Sequence, residues 1–494
     1  MSNNPQRQAW FDAASFSPDA KLGFWEKMAL GGTGFATSVP WVIFGFFLTF
    51  FYTDVIGMPG TLAGALILFA RLFDAFTDAL IGIFIDHFNF KWGKYRSWVL
   101  FSFIPQIVLF VMVFTALPDT TSTLQYIIAV IGYGFYGSIG STLVFIPMNC
   151  MMTNMARNQE ERASVSGYKG VWQNAGTIIA VLTFMPMAEA LGKAFNSVSI
   201  GWLITGIFYA LITTAPCLWI YILGERYELN SDGSYREHLR DLKAEAGQKV
   251  GLGVQFKELF KNRPAMVVVI STFIMYVLQG VRSGTVMYLY THYYNQPQLA
   301  SVALFFNCGT AMLGAVCVKY FVRLFKDSNR AYIMTIVGSS ALYLVFYFAT
   351  LAMGQEAAGY SMRLGGPLFI FYAICGFLQG AHYIFPNVML PQAVDYGRYK
   401  FGRNQAGFVF AFFGVCLTVG GAFGGSVLGF FLGAIGYDPA FAMTSELAGG
   451  LLLIGVLVPA LMGIAQAVIQ LFYGFNDKTH KEYVAAIEAG KTEA

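Results

Sequence analysis

The stretch LILFARLFDAFTDALIGIFIDHFNFKWGKYRSW, Leu66–Trp98, begins apolar enough to cross a bilayer, yet it carries Arg71, Asp74 and Asp78 in its middle. A helix rises about 1.5 Å per residue, so in a span from Thr61 to Ile85 these groups sit within about two turns of the midplane. An ionisable group at that depth costs on the order of 3 kcal/mol, and Asp78 cannot snorkel to either interface. Three such groups are either paired or used. Arg71, Asp74 and Asp78 fall at i, i+3 and i+7, and Thr77 stands three after Asp74, so all four share one helical face. One reading is an Arg–Asp pair that pins two helices. The other is a cation site: two carboxylates and a hydroxyl suit a partly dehydrated Na⁺, and neighbouring carboxylates also suit a proton because like charges raise one pKa.

The rest of the chain frames that span. Of 494 residues, 56% are hydrophobic and 12% charged, with a mean hydropathy of +0.57, which reads as an all-α polytopic membrane protein. Runs of about 20 apolar residues recur about twelve times. A net charge of +4 calls for no nucleic-acid partner. The six cysteines lie in apolar segments without metal-ligand or disulfide spacing and read as packing residues. No HExxH cluster, nucleophile constellation or P-loop marks an enzyme. The first twenty-odd residues are polar and mixed in charge, unlike a cleavable signal peptide. The expected organisation is a cytoplasmic lead-in over 1–25, a six-helix bundle over 26–223, a charged linker over 224–263, a second six-helix bundle over 264–475 and a tail over 476–494.

Orientation follows from basic residues. Loops on one side carry Lys91, Lys94, Arg96, Arg157, Arg162, Arg226, Lys326, Arg330, Arg398 and Lys400 among others, while the opposite loops carry only Lys193 and Arg363. Both termini are therefore expected in the cytoplasm, with the protein in the plasma (inner) membrane. The string Gly132-Tyr133-Gly134-Phe135-Tyr136-Gly137 matches a dinucleotide fingerprint by letter, but no strand precedes it, so it reads as a small-residue packing face. Gly420, Gly421, Gly424, Gly425 and Gly429 read as a packing seam in the eleventh span.

Arg71-x-x-Asp74-x-x-Thr77-Asp78, followed by Lys91-Trp92-Gly93-Lys94-Tyr95-Arg96, resembles the glycoside–pentoside–hexuronide:cation symporters, melibiose-carrier-like members of the major facilitator superfamily. Tyr52-Thr53-Asp54 and the Asp395-Tyr396-Gly397 loop are further family-like features. The resemblance implies two pseudo-symmetric six-helix bundles that alternate access to substrate and cation sites at their interface. It implies cation binding by Asp74, Thr77, Asp78 and Thr142, with Na⁺ or H⁺ as the coupling ion and no other cofactor or metal. It also implies cationic cavity positions at Arg71 and Lys169. A cytoplasmic gate is expected from Asp86, Lys91, Lys94, Asp395 and Arg403, closing against the first bundle's inner loops.

The departures bear on substrate. Ser38 and Phe145 stand where melibiose-type carriers place two sugar-gripping Asp residues, and a cavity Lys near Thr418–Val419 is missing. In exchange the chain puts Arg282 in its seventh span and His382 in its tenth. Arg282 reads as the grip for an acidic group, since guanidinium holds carboxylate bidentately, or else as a partner of the Asp pair. His382 reads as a satisfied packing histidine or a ligand. Trp172, beside Lys169 and Gln173, is placed to stack on a sugar ring. The expected function is symport of a sugar or glycoside with an anionic group, such as a hexuronate, by a monomer in the bilayer. The rival is a non-sugar amphiphile such as a lysolipid.

Overall fold

The computed structural model describes residues 21–87, 90, 92–117, 122–156, 159–230, 234, 252–402, 406–437 and 444–488. Eleven described helices are long and apolar enough to cross a membrane. The charged span is a further helix of 28 residues, Gly60–His87. No strand forms among the described residues, apart from an isolated bridge between Phe90 and Gly93.

By contacts the chain divides into two compact units, Met1–Phe44 with Phe69–Gln248, and Gly45–Leu68 with Lys249–Ala494. The first and second spans are thus shared: Gly45–Leu68, the stretch linking them, belongs with the second half of the chain.

The first unit contains most of α1 (Phe24–Phe50) and α2 (Gly60–His87), then α3 (Tyr95–Val113) and α4 (Ser122–Phe135). A π-helical turn, Tyr136–Ser141, leads from α4 into α5 (Thr142–Met155), followed by α6 (Gln159–Ala194), α7 (Val198–Leu223) and the short α8 (Glu225–Glu228). Ser197 caps α7 by accepting from Ile200 N. Its core mixes aliphatic and sulfur side chains, including Val99, Met148, Met151, Val165, Cys217 and Ile220. Gly132 lets α4 lie against α3, because a Cβ there would stand 2.9 Å from Met112 C and Val113 N. The fingerprint-like string does serve helix packing. At the basic end, Glu228 accepts from Tyr95 N (3.0 Å) and Arg96 N (3.2 Å), and Glu225 meets Arg96 Nη2 at 3.0 Å. These bonds hold the start of α3, just past the Lys-Trp-Gly-Lys loop, to α8.

The second unit contains α9 (Leu252–Lys261), α10 (Arg263–Tyr288), α11 (Ala300–Val316), α12 (Val318–Phe325), α13 (Ser328–Ser361), α14 (Pro367–Phe401) and α15 (Ala406–Ala434). It ends with α16 (Ser445–Leu452), a π turn at Leu453–Leu457, α17 (Val458–Leu471) and α18 (Asp477–Glu488). Asn262 and Asp327 accept from Ala265 N and Arg330 N and cap α10 and α13. The glycines of α15 form the expected seam and use it on two sides. Gly424 packs on Val277 and Gly280 of α10, and Gly429 on Gly60 and Gly64 of α2, where added Cβ atoms would stand as little as 2.4 and 2.5 Å from backbone.

Candidate functional site

Within the first unit, the polar face of α2 meets the bend between α4 and α5. Arg71 Nη1 stands 3.7 Å from Asp74 Oδ2, Arg71 Nε donates to Tyr133 OH at 3.0 Å, and the guanidinium lies over the rings of Trp41 (5.3 Å) and Tyr133 (5.6 Å). Asp74 is buried, and its carboxyl occupies the space of a Cβ at Gly137, which would stand 2.9–3.1 Å from the carboxyl atoms. Gly137 therefore has a second reason beyond helix packing: it admits the acid to the backbone of the π turn. π turns of this kind are frequent at functional sites.

Thr142, the first residue after that turn, donates its hydroxyl to Gly137 O at 3.0 Å. Thr77 donates to Phe73 O (2.9 Å) and Asp74 O (3.1 Å). Both hydroxyls spend their protons on backbone, which leaves oxygen lone pairs to offer a cation. Asp74 and Thr142 thus both reach Gly137, while Thr77 turns its hydroxyl to the backbone of its own helix. The side chain of Asp78 lies outside the described residues, although its position is in α2. Among the described residues no group of three His, Cys, Asp or Glu side chains is arranged for a metal.

The other residues expected around the substrate fare differently. Lys169 donates to Asn149 Oδ1 at 3.2 Å and lies 5.8 Å over the Phe145 ring. Trp172 is half-buried edge-on to Phe35, at 6.0 Å, and Gln173 beside it is exposed. Ser38 is buried, directs its hydroxyl to Phe35 O, and faces Gly176, where a Cβ would stand 2.8 Å from that hydroxyl. A helix crossing occupies it.

In the second unit, Arg282 of α10 has no carboxylate partner among the described residues. Its Nη2 donates to Tyr383 OH at 3.1 Å, and its guanidinium lies 5.0 Å over the Tyr343 ring. Gln379 donates to the same Tyr383 hydroxyl at 2.7 Å and accepts from Tyr343 OH at 3.0 Å. Arg282 also lines a cavity with Tyr290, Tyr294, Tyr343 and Tyr372, and its Nε has no hydrogen-bond partner among the described residues. A phenol oxygen that accepts two hydrogen bonds has only its own proton left to give. The Arg282–Tyr383 pair thus presents donors and no negative charge.

His382, one residue from Tyr383, is buried, with its ring 5.5 Å from that of Tyr332 and stacked 5.8 Å from that of Tyr383, and its Nε2 3.0 Å from Gln466 Nε2. Gln466 continues to Ser271 and Tyr332, while His382 Nδ1 has no hydrogen-bond partner among the described residues.

At the basic end, Asp395 was expected to face the first bundle's inner loops. Its Oδ2 instead meets His480 Nε2 at 2.8 Å, because the tail helix α18 docks on α14 with Tyr483 stacked 4.5 Å from Tyr399. Lys94 lies over its neighbour Tyr95 at 5.3 Å. Lys91, Arg403 and the side chain of Asp86 lie outside the described residues. Sequence reasoning passed over Tyr343, Gln379 and Tyr383, which carry no signal in an aromatic-rich apolar helix. It also missed the partners of Asp54, described below.

Comparison with known proteins agrees with this architecture. A family model described as MFS/sugar transport protein matches residues 30–477. The isoprimeverose transporter of Lactiplantibacillus pentosus is 25% identical over 470 residues, covering 94% of this chain and 91% of that protein. The glucuronide carrier protein homolog of Escherichia coli (strain K12) is 26% identical over 447 residues, covering 90% and 91%. Among solved structures, the nucleoside transporter NupG aligns with a TM-score of 0.59 at 14% identity, covering 91% of this chain and 99% of that one, which speaks to fold alone. The chain belongs to the MFS/sugar transport protein family, within its glycoside–pentoside–hexuronide symporter branch, and is a multi-pass membrane transporter, not an enzyme.

Proposed function

We propose that this chain is a cation-coupled symporter of a sugar or glycoside bearing an acidic group, a hexuronate being the simplest example. Substrate and coupling ion move together by alternating access, from outside to a cytoplasm that holds both termini. The observation that carries this reading is Arg282: a guanidinium inside a helical bundle with tyrosine partners and no acid beside it among the described residues. A charge of that kind is costly to bury alone. A substrate carboxylate would supply the missing partner, accepting from Arg282 and from the unspent proton of Tyr383. Lys169, Trp172 and Gln173 of the first unit offer a sugar charge, ring stacking and hydrogen bonding.

The coupling ion, Na⁺ or H⁺, is cargo. Asp74 and Asp78 supply its charge and Thr77 and Thr142 neutral oxygens. Arg71 holds Asp74 in place and keeps the empty site from being strongly anionic. Loading the ion lowers the local negative charge and stabilises the form that accepts substrate. The names of the isoprimeverose transporter and the glucuronide carrier homolog support a glycoside over a lysolipid.

The test is uptake into vesicles carrying the full-length chain, with imposed Na⁺ or H⁺ gradients and a panel pairing D-glucuronate and D-galacturonate with their neutral parent sugars. Gradient-driven accumulation that favours the acids is expected. Equal handling of acid and neutral sugars would remove the anionic assignment, and accumulation indifferent to both gradients would remove the coupling.

A further inference from the structure

Two nine-residue stretches of the chain share Tyr-Thr at their second and third places and Pro at their ninth. Phe51-Tyr52-Thr53-Asp54-Val55-Ile56-Gly57-Met58-Pro59 follows α1, and Leu289-Tyr290-Thr291-His292-Tyr293-Tyr294-Asn295-Gln296-Pro297 follows α10. The two copies fold alike. Each opens with a π turn, at Phe51–Val55 and Leu289–Tyr293. Each is then closed by a left-handed residue, Gly57 (φ 72°) in one and Asn295 (φ 51°) in the other. The backbone bonds correspond as well: Met58 N donates to Tyr52 O and Gln296 N to Tyr290 O, both at 2.8 Å.

Asp54 and His292 occupy the same place in the two copies, and they touch. His292 Nε2 is 2.7 Å from Asp54 Oδ1, and Tyr437 OH stands 2.7 Å from that oxygen and 2.6 Å from that nitrogen. Thr53 Oγ1 is 2.6 Å from the other carboxyl oxygen of Asp54 and 2.6 Å from Tyr288 OH. All of these residues belong to the second unit. Equivalent residues of two repeats meet only where the axis relating the repeats passes. Two aspartates there would repel one another, whereas one aspartate and one histidine hydrogen-bond. The remaining member of the pattern is Thr291, the counterpart of Thr53, whose buried hydroxyl has no partner.

We propose that Asp54, His292 and Tyr437 form the clasp that closes the transport path at the end remote from the basic loops, and that it must part for substrate to enter. These are residues of the transport cycle and do not contact substrate. The proposal rests on the alternating-access reading, and its test separates the two.

Repeat symmetry makes a sharp demand: exchanging the residues restores the clasp. Asp54→His alone sets histidine against histidine, and His292→Asp alone sets acid against acid. The double exchange re-forms the pair and gives the hydroxyl of Thr291 the carboxylate neighbour that Thr53 now has. Val286→Cys, at a buried wall of the Arg282 cavity, serves as a reporter in full-length protein in right-side-out vesicles, labelled with a membrane-impermeant maleimide. Labelling of the parent chain with its native cysteines is subtracted.

Each single exchange is expected to speed labelling about tenfold and lower D-glucuronate uptake by a similar factor, while the double exchange returns both to within about twofold of the parent, as coupling in a double-mutant cycle requires. Tyr437→Phe, a gentler change that keeps the Asp54–His292 contact but removes the hydroxyl beside both, is expected to speed labelling about threefold. A double exchange that labels as fast as the singles would overturn the clasp, and so would single exchanges and Tyr437→Phe that label no faster than the parent. Labelling that follows this pattern with no gradient-driven uptake in the parent would instead count against the symport reading and leave the clasp standing.

Discussion

Arg71 and Arg282 both lie within helical bundles, and the structure treats them in opposite ways. Arg71 is answered by Asp74 one turn along its own helix, by Tyr133 and by the Trp41 ring. Arg282 is answered, among the described residues, by Tyr383 and the Tyr343 ring. In the first cluster the positive charge is internal furniture, there to temper an acid. In the second it is unmet, and the sense of the missing group is negative. On the proposed reading the same residue type marks an ion site in one unit and an acid-recognising site in the other, and only its neighbours distinguish them.

That contrast can be broken from either side. The largest effect is expected from Asp74→Asn, which removes the answering charge. Uphill accumulation should be lost, with the inside-to-outside ratio in vesicles falling to about one. Retained accumulation would show that Asp74 is no ion ligand. Next is Gln379→Glu, which puts a carboxylate one hydroxyl away from Arg282 and makes that cluster resemble the first. The apparent KM for D-glucuronate should rise about a hundredfold, in line with the loss of a charge-assisted pair worth about 2–3 kcal/mol. A neutral sugar should change by less than about threefold. Equal losses for both would mean that Arg282 does not read charge.

Tyr383→Phe is expected to be smaller again, roughly a tenfold rise in KM with the maximal rate preserved, since only one donor is lost. An unchanged KM would place the hydroxyl outside recognition.

The smallest effect concerns Glu228, a buried charge outside the spans. Burial pushes its carboxyl up from 4.5 to about 7, against the opposing pull of the Tyr95 and Arg96 N–H groups and the Arg96 charge. The folded protein therefore holds this proton more tightly than the unfolded chain does. The resulting stabilisation is complete below pH 4.5 and lost as pH rises through about 7. In detergent, the melting temperature of the wild type should fall relative to Glu228→Gln between about pH 5 and 8, by about a few degrees. Parallel curves would mean that the carboxyl stays ionised throughout.

Much of this was legible in the sequence because it rests on cost. Apolar runs of bilayer length, charges stranded within one of them, and glycines at four-residue spacing each have few physical explanations. Asp74 and Thr142 meet at Gly137, and the α15 glycines form the seam. What stayed hidden depends on neighbours from distant parts of the chain. Ser38 looked available until Gly176 brought α6 onto it. Asp395 looked free for the inner loops until the tail helix delivered His480. Tyr383 and Gln379 were indistinguishable from ordinary helix-packing side chains until their hydrogen bonds could be counted. His382 and Arg282, marked by the same kind of surprise, differ in their neighbours: Gln466 and Tyr332 for the histidine, Tyr383 and the Tyr343 ring for the arginine.

The contact between Asp54 and His292 also constrains how such a chain can have arisen. If both halves descend from one duplicated segment, most positions could drift without regard to their twin, because the twin lay far away. A position lying on the dyad had no such liberty: its first neighbour was its own copy. A single codon change in one half would have turned a self-repelling couple into an attractive one, and would thereafter have fixed which half leads and which follows.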